Sequence, residues 1–168
     1  MSGQGGRMTS WLRRARDADG AVIAELYLAA FRAVYDFPLA HTDDEVRAWV
    51  RDVVVGTSET WVVVEAPLER AAVWPLTEDL GEIAGFVTIS PGELDQLYIR
   101  PDSWGRGHGS RLLALAKVRS PEGLDLYTFQ ANARARAFYE RHAFEVVDLD
   151  GGERNEERQP DIRYRWTA

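Results

Sequence analysis

Three glycines alternate with basic side chains in a segment that combines a turn with the start of a helix: Gly105, Arg106, Gly107, His108 and Gly109. A short run of strand-forming residues precedes this segment, and leucines and alanines at helical spacing follow it. Because glycine permits positive φ angles and close approach, successive backbone N–H groups there can converge on one point. The first turn of the following helix adds unpaired N–H groups and the positive end of its dipole. The segment therefore predicts a cradle for a phosphate or pyrophosphate group.

Three ligand classes compete for such a turn, and a turn that binds nothing is the fourth alternative. A P-loop needs Lys and then Ser or Thr after the last glycine, whereas Ser110 and Arg111 follow Gly109 here. A dinucleotide site needs the spacing G-x-G-x-x-G after the first strand of a βαβ unit, whereas these glycines are spaced G-x-G-x-G past mid-chain. The remaining class, an acyl-coenzyme A site, depends on a second group of residues.

That second group begins where a predicted strand gives way to a predicted helix. Asn132, Arg136 and Tyr139 recur at intervals that place them on one helix face, and the alanines between them leave room for a ligand. The alternative is that Asn132 only caps the helix, Arg136 is solvated and Tyr139 packs against the core. Taken alone, this helix leaves both interpretations open.

The two segments together resemble the GNAT acetyltransferase superfamily. The resemblance is carried by Ile99-Arg100-Pro101, by the glycine segment and by the run from Asn132 to Phe144, and the order of elements from Asp17 to Val147 also fits. Two positions depart from the family pattern. Trp104 stands where Arg or Gln usually precedes Gly107 by three residues, and Ala143 stands where Gly usually precedes Phe144.

The resemblance implies an α+β fold with a mixed, mostly antiparallel sheet that is flanked by helices and splayed at the cofactor strand. It also implies an enzyme that moves an acetyl group from acetyl-CoA to a primary amine of a small molecule or peptide by direct attack, without a metal. The alternative is a non-catalytic acyl-CoA-binding or sensor module of the same fold. Tyr139 favours the enzyme, because a pure binder needs no proton donor there.

The site residues follow from the same resemblance. Backbone groups of Leu97 and Ile99 are expected to pair with the pantetheine amides, and a free N–H near Leu97 or Tyr98 to hold the developing oxyanion. Tyr139 is expected to protonate the departing thiolate. The complete predicted cofactor set is Leu97, Tyr98, Ile99, Trp104, Gly105, Arg106, Gly107, His108, Gly109, Ser110, Asn132, Arg136 and Tyr139.

The reaction also needs a group that takes the proton of the amine, because an ammonium has no lone pair. Glu93 and Asp95 alternate onto the face of Leu97 if no bulge intervenes. Asp95 lies nearer the expected splay and is the preferred base, while Glu93 and a water are the alternatives. Aromatic and acidic residues between the first two helices predict walls for the acceptor: Tyr27, Phe31, Tyr35, Asp36, Phe37 and His41.

Composition excludes other classes of function. The formal net charge of −7 argues against a nucleic-acid partner, and the absence of cysteine excludes disulfides and thiolate chemistry. The three histidines lie far apart, which argues against a zinc site. No apolar run approaches membrane-spanning length, so a cytoplasmic protein is expected, either alone or as a homodimer.

The chain divides simply. Residues 1–10 are expected to be a disordered extension, and residues 11–168 a single acyl-CoA N-acyltransferase domain. Within that domain, the connection from Pro67 to Leu80 is predicted to be an insertion or mobile loop, and Asp161 to Trp166 an edge strand.

Overall fold

The computed structural model describes residues 7–71 and 81–168. Seven strands form one sheet in the order β1-β2-β3-β4-β5-β7-β6. All neighbours are antiparallel except β4 and β5, so the predicted mixed sheet is confirmed. The strands are β1 Met8–Arg14, β2 Glu59–Pro67, β3 Glu82–Ser90, β4 Glu93–Ile99, β5 Leu124–Phe129, β6 Glu145–Asp150 and β7 Asp161–Trp166.

Helices flank the sheet on both faces. Thr42 and Glu45 form a capping box at the start of α2, where the two residues bond each other's backbone N–H groups. Among the described residues, no helix is both long and apolar enough to cross a membrane. The helices are α1 Gly20–Val34, α2 Asp43–Trp49 with a π-helical continuation Val50–Val55, the short α3 Leu68–Ala71, α4 His108–Arg119 and α5 Ala133–Arg141.

Two hydrophobic cores lie on opposite faces of the sheet, as the period of two along a strand requires. In β2, Val62 and Val64 point into the core covered by α1 and α2, whereas Val63 points into the core that contains Leu112 and Leu113 of α4. Burial on both faces explains why β2 and β3 read as continuous apolar runs.

The sheet splays at β4, as the resemblance implied. β4 pairs with β5 only at Glu93 and Leu94, so its remaining edge toward β5 has no strand partner in the described chain. The same strand has a bulge opposite β3, since Leu94 and Gln96 pair with successive residues of β3 and leave Asp95 without a ladder partner. Because this bulge intervenes, the strict alternation that would place Asp95 on the face of Leu97 does not apply.

Three predictions about individual segments need correction. β1 begins at Met8, so residues 8–10 belong to a strand and not to a disordered extension, while residues 1–6 lie outside the described chain. β7 is not an edge strand, because it lies between β5 and β6. In the predicted loop after β2, residues 68–71 form α3 and residues 72–80 lie outside the described chain.

Candidate functional site

The glycine turn joins β4 to α4 and presents an open backbone surface. Gly105 and Gly107 have φ angles of 79° and 82°, and Gly107 is the N-cap of α4. A Cβ atom at either position would meet no atom within 4 Å. Gly109 differs, because a Cβ atom there would lie 3.4 Å from the Phe138 ring. Two glycines therefore shape a concave surface, and the third permits packing against α5.

A buried carboxylate from β2 fixes this turn from behind. Glu65 is 3% exposed and accepts hydrogen bonds from Ser103 Oγ at 3.0 Å and from Arg106 Nη1 at 3.1 Å. His108 Nε2 lies 2.6 Å from its Oε1. Burial alone would raise the pKa of the Glu65 carboxyl, but the bonds from His108, Ser103 and Arg106 outweigh burial and lower that pKa. Glu65 thereby ties three residues around the turn to the sheet.

Replacing Glu65 by Ala is expected to lower the free energy of unfolding by about 3 kcal/mol, because buried His108 loses its charged partner. Urea denaturation measures this loss. Glu82→Ala is the matched control, since Glu82 likewise pairs with an arginine, Arg100 at 3.0 Å, but is exposed, and its loss should stay below about 1 kcal/mol. Because the folded-state pKa of Glu65 is lowered, its contribution is present above the unfolded pKa and disappears as the pH falls through the folded pKa. Equal losses in the two variants at neutral pH would contradict the anchoring role.

A cavity of about 290 Å³ opens in front of the turn, between β4 and α5. We call it the turn cavity. Its lining contains Arg134 and Arg141 and, among the described residues, no carboxylate. His108 adds a buried Nδ1 atom that has no hydrogen-bond partner in the described chain. Open glycines, two arginines and a spare ring nitrogen form a set of groups that suits a phosphate-bearing ligand.

A second cavity of about 270 Å³ lies between α1, the splayed part of β4 and the loop before β7. We call it the acidic cavity, because Asp95, Glu157 and Asp161 line it and no described Lys or Arg does. Seven aromatic residues contribute to its walls. Burial, followed by the negative charge of Glu157, raises the pKa of Tyr27 to about 12. The aromatic residues of the lining are Tyr27, Phe31, Tyr35, Tyr98, Tyr127, Phe129 and Tyr139.

The two cavities meet at the splay. Asn132 spans the junction, since its Nδ2 donates to Tyr35 Oη at 2.8 Å while its Oδ1 accepts from Ala135 N at 2.9 Å. Tyr139 is 6% exposed, and burial raises the pKa of its phenol well above the ordinary value, so the group stays protonated at neutral pH. The residues that line both cavities are Tyr35, Leu97, Tyr98, Asn132, Ala135 and Tyr139.

Most of the predicted cofactor residues line the turn cavity, and two do not. The Arg106 side chain turns back to Glu65. Arg136 donates to Gln130 O at 3.3 Å and lines neither cavity, because Ala135 occupies the position between Asn132 and Tyr139 on the cavity-facing stripe. The predicted residues that line the turn cavity are Leu97, Tyr98, Ile99, Trp104, Gly105, Gly107, His108, Gly109, Ser110, Asn132 and Tyr139.

The predicted catalytic carboxylate does not line the turn cavity. Asp95 lines the acidic cavity and accepts a hydrogen bond from Ser90 Oγ at 3.0 Å. Burial raises its pKa above the ordinary value. Glu93 lines neither cavity. Sequence reasoning missed Glu65 and Arg134, although a lone Glu in the apolar run of β2 was a signal that a buried partner exists.

The sequence matches a family model and several characterised proteins. A family model described as the acetyltransferase (GNAT) family matches residues 20–144. The peptidyl-lysine N-acetyltransferase YjaB of Salmonella typhimurium is 28% identical over 136 residues, which cover 81% of this chain and 83% of the relative. The peptidyl-lysine N-acetyltransferase YiaC of Escherichia coli is 28% identical over 138 residues, or 82% of this chain and 84% of the relative.

Solved structures share the fold. The solution structure of apo YjaB from Escherichia coli superposes with a TM-score of 0.72 at 24% identity and covers 94% of this chain and 97% of that one. The PaiA N-acetyltransferase of Thermoplasma acidophilum, crystallised in complex with coenzyme A, superposes with a TM-score of 0.63 at 17% identity. That superposition covers 95% of this chain and 99% of PaiA.

Proposed function

The chain belongs to the acetyltransferase (GNAT) family, and from this premise we propose that it transfers the acetyl group of acetyl-CoA to the side-chain amine of a lysine in a peptide or protein. One observation carries the proposal. Two cavities of opposite charge meet at Tyr139 and the splayed part of β4. The turn cavity suits an anionic donor and the acidic cavity a cationic acceptor.

Acetyl-CoA fits the turn cavity on three grounds. The open backbone at Gly105 and Gly107 leaves room for a pyrophosphate, and the start of α4 directs N–H groups toward it. Beyond Leu94, the edge of β4 toward β5 has no strand partner in the described chain, so an extended pantetheine amide chain can bond there as an added strand. Coenzyme A occurs in the related PaiA structure, which supports the assignment by fold.

The acidic cavity supports a lysine acceptor. Aromatic faces attract an ammonium group through cation–π interactions, and the surrounding carboxylates add to that attraction. Aromatic walls also suit the apolar methylene chain of a lysine. The relatives named peptidyl-lysine N-acetyltransferases favour a peptide over a free amine.

Residues that line the two cavities supply the chemistry. Bound acetyl-CoA provides a thioester, whose carbonyl carbon an unprotonated amine can attack. Asp95 accepts the proton of the arriving ammonium, directly or through a water. A backbone N–H near Leu97 or Tyr98 stabilises the negative charge that develops on the carbonyl oxygen. The O–H group of Tyr139 donates to the departing sulfur and limits its charge.

An acetylation assay with blocked peptides tests the proposal. The purified protein is mixed with acetyl-CoA and a peptide that has an acetylated N-terminus and one lysine, and thiol release and peptide mass are followed. We expect one acetyl group on the lysine peptide and none on the same peptide with norleucine in place of lysine. Binding of acetyl-CoA without thiol release to any amine would instead indicate a sensor module.

Asp95→Asn is expected to lower kcat/KM for the lysine peptide about 10²-fold, because the amide cannot take a proton. The wild-type rate should fall on acidification as Asp95 becomes protonated, at a pH above the ordinary pKa of an Asp side chain because burial raises its pKa. The Asn variant should lose this limb of the pH profile. Glu93→Gln is the matched control, since burial and the charge of Asp95 also raise the pKa of Glu93 but its side chain lines neither cavity. A near-normal rate for Asp95→Asn would exclude Asp95 as the base.

A further inference from the structure

An arginine from α5 lies over the tryptophan that departs from the family pattern. The Arg134 Cζ atom lies 4.1 Å from the centroid of the Trp104 ring. The ring itself is fixed, because Trp104 Nε1 donates to the carbonyl oxygen of Ile99 at 2.9 Å, at the end of β4. Both residues line the turn cavity beside Gly105 and Gly107. The guanidinium is therefore held at the entrance to the glycine turn.

The hydrogen-bond donors of this guanidinium are free. No described residue forms a hydrogen bond or an ion pair with Arg134, whereas the Arg106 guanidinium in the turn is bound to Glu65. Stacking on an aromatic face orients the guanidinium plane but uses none of its N–H groups. Those groups remain available for a planar or tetrahedral anion and can bind it in bidentate fashion.

We propose that Arg134, stacked on Trp104, binds the pyrophosphate of the coenzyme. The inference rests on the proposed function and adds a specificity residue to it. Trp104 occupies the position where family members usually have Arg or Gln. In this chain Arg134 of α5 places a cation beside the turn instead. The net charge of the chain is −7, so a local cation without a carboxylate partner has particular value for an anionic ligand.

The proximity of Trp104 to the glycine turn favours the pyrophosphate over the 3′-phosphate of the coenzyme. Trp104 directly precedes Gly105, and a side chain stacked on its ring lies beside the same turn whose glycines line the cavity. Arg141 also lines the cavity without a described carboxylate partner, but no aromatic ring of the described residues stacks on it. An unoriented side chain loses more conformational entropy when it binds a ligand.

Isothermal titration calorimetry of variants tests this inference. We expect Arg134→Gln to raise the Kd for acetyl-CoA about tenfold, and Arg134→Lys to raise it about threefold because the charge remains without the planar stack. Arg141→Gln removes the same charge from the same cavity and should change the Kd by less than about threefold. Equal effects of the two Gln variants would overturn the proposal, since they would indicate general attraction and not a stacked site.

Two further measurements complete the test. Trp104→Leu should raise the Kd about fivefold, and the Trp104→Leu/Arg134→Gln double variant no more than about tenfold, because each change destroys the same unit. If the Kd of the double variant rises by the product of the two single-variant factors, Trp104 and Arg134 act independently and the stacked unit is contradicted. A thermal melt of each variant establishes that it is folded. Dephospho-CoA lacks the 3′-phosphate, and its Kd should rise by the same factor as that of the complete coenzyme when Arg134 is replaced by Gln. If wild type and Arg134→Gln bind dephospho-CoA with equal Kd, Arg134 binds the 3′-phosphate instead. Failure of the wild type to bind acetyl-CoA would reject the proposed function itself.

Discussion

Tyr139→Phe is expected to reduce the single-turnover rate of acetyl transfer about 10²-fold and to leave the affinity for acetyl-CoA unchanged. The variant keeps the ring, which packs against Phe138, Phe144 and Tyr164 in the described core. Only the O–H group at the junction of the two cavities is removed. The loss should therefore appear in the chemical step and not in binding.

The geometry refines how Tyr139 acts. A free phenol and a free thiol have pKa values of about 10 and 8.5, so a proton can pass between them at small cost. Burial, followed by the charge of Tyr35, raises the pKa of Tyr139 and widens this difference. Complete proton transfer to sulfur becomes less favourable, whereas donation of a hydrogen bond to the developing thiolate remains strong. The expected effect is accordingly at the lower end of general acid catalysis.

Tyr164→Phe provides a control for the loss of a hydroxyl group in the same core. Tyr164 is fully buried and donates to Glu140 Oε1 at 2.8 Å, but it lines neither cavity. Its loss should lower stability by about 1 kcal/mol without an effect on the single-turnover rate. Stopped-flow mixing with acetyl-CoA in limiting amount measures that rate, which excludes product release from the comparison. A wild-type rate for Tyr139→Phe would make Tyr139 a packing residue.

The local elements of the site were predictable because their signals are local. Glycines at alternate positions after a strand determine the turn, and the strand bounds at Glu82–Ser90 and Leu124–Phe129 coincide with apolar runs between turn residues. Asn132 was expected at the start of a helix, and it caps α5 through a bond from Ala135 N. These features depend on residues that are near one another in the chain.

Features that depend on distant pairing could not be predicted from spacing. The bulge at Asp95 is a property of the register between β3 and β4, and a shift of one residue changes which side chain faces which cavity. Glu65 and His108 are 43 residues apart and meet only through the sheet. The contact of Arg134 with Trp104 likewise exists because α5 packs beside the turn.

The internal position of β7 also depends on pairing between residues that are distant in the chain. Its alternating pattern resembles that of an edge strand, but Arg163 and Arg165 both bind Asp125 of β5, which satisfies their charge within the sheet. The pKa of Asp125 is lowered to about 2, chiefly by the hydrogen bond from Arg165. Charged residues in a strand can therefore reflect cross-strand pairing inside a sheet, and they do not by themselves indicate an edge.

Gly107→Val is expected to raise the Kd for acetyl-CoA about 10²-fold, through loss of the pyrophosphate contacts. The φ angle of Gly107 is 82°, which a β-branched residue adopts only with strain. The added side chain would also project into the open space of the turn cavity, since no atom lies within 4 Å of a Cβ atom there. Backbone N–H groups would then be shielded from the phosphate they are expected to bind.

Gly92→Val separates these two effects of the substitution. Gly92 lies between β3 and β4 with a φ angle of 77°, and a Cβ atom there also meets nothing within 4 Å, but the residue lines neither cavity. The two variants should lose similar stability, about 1–2 kcal/mol from backbone strain, in chemical denaturation. Only Gly107→Val should lose affinity in calorimetry. Because the strain is matched, wild-type affinity in a folded Gly107→Val protein would show that the coenzyme binds away from the glycine turn.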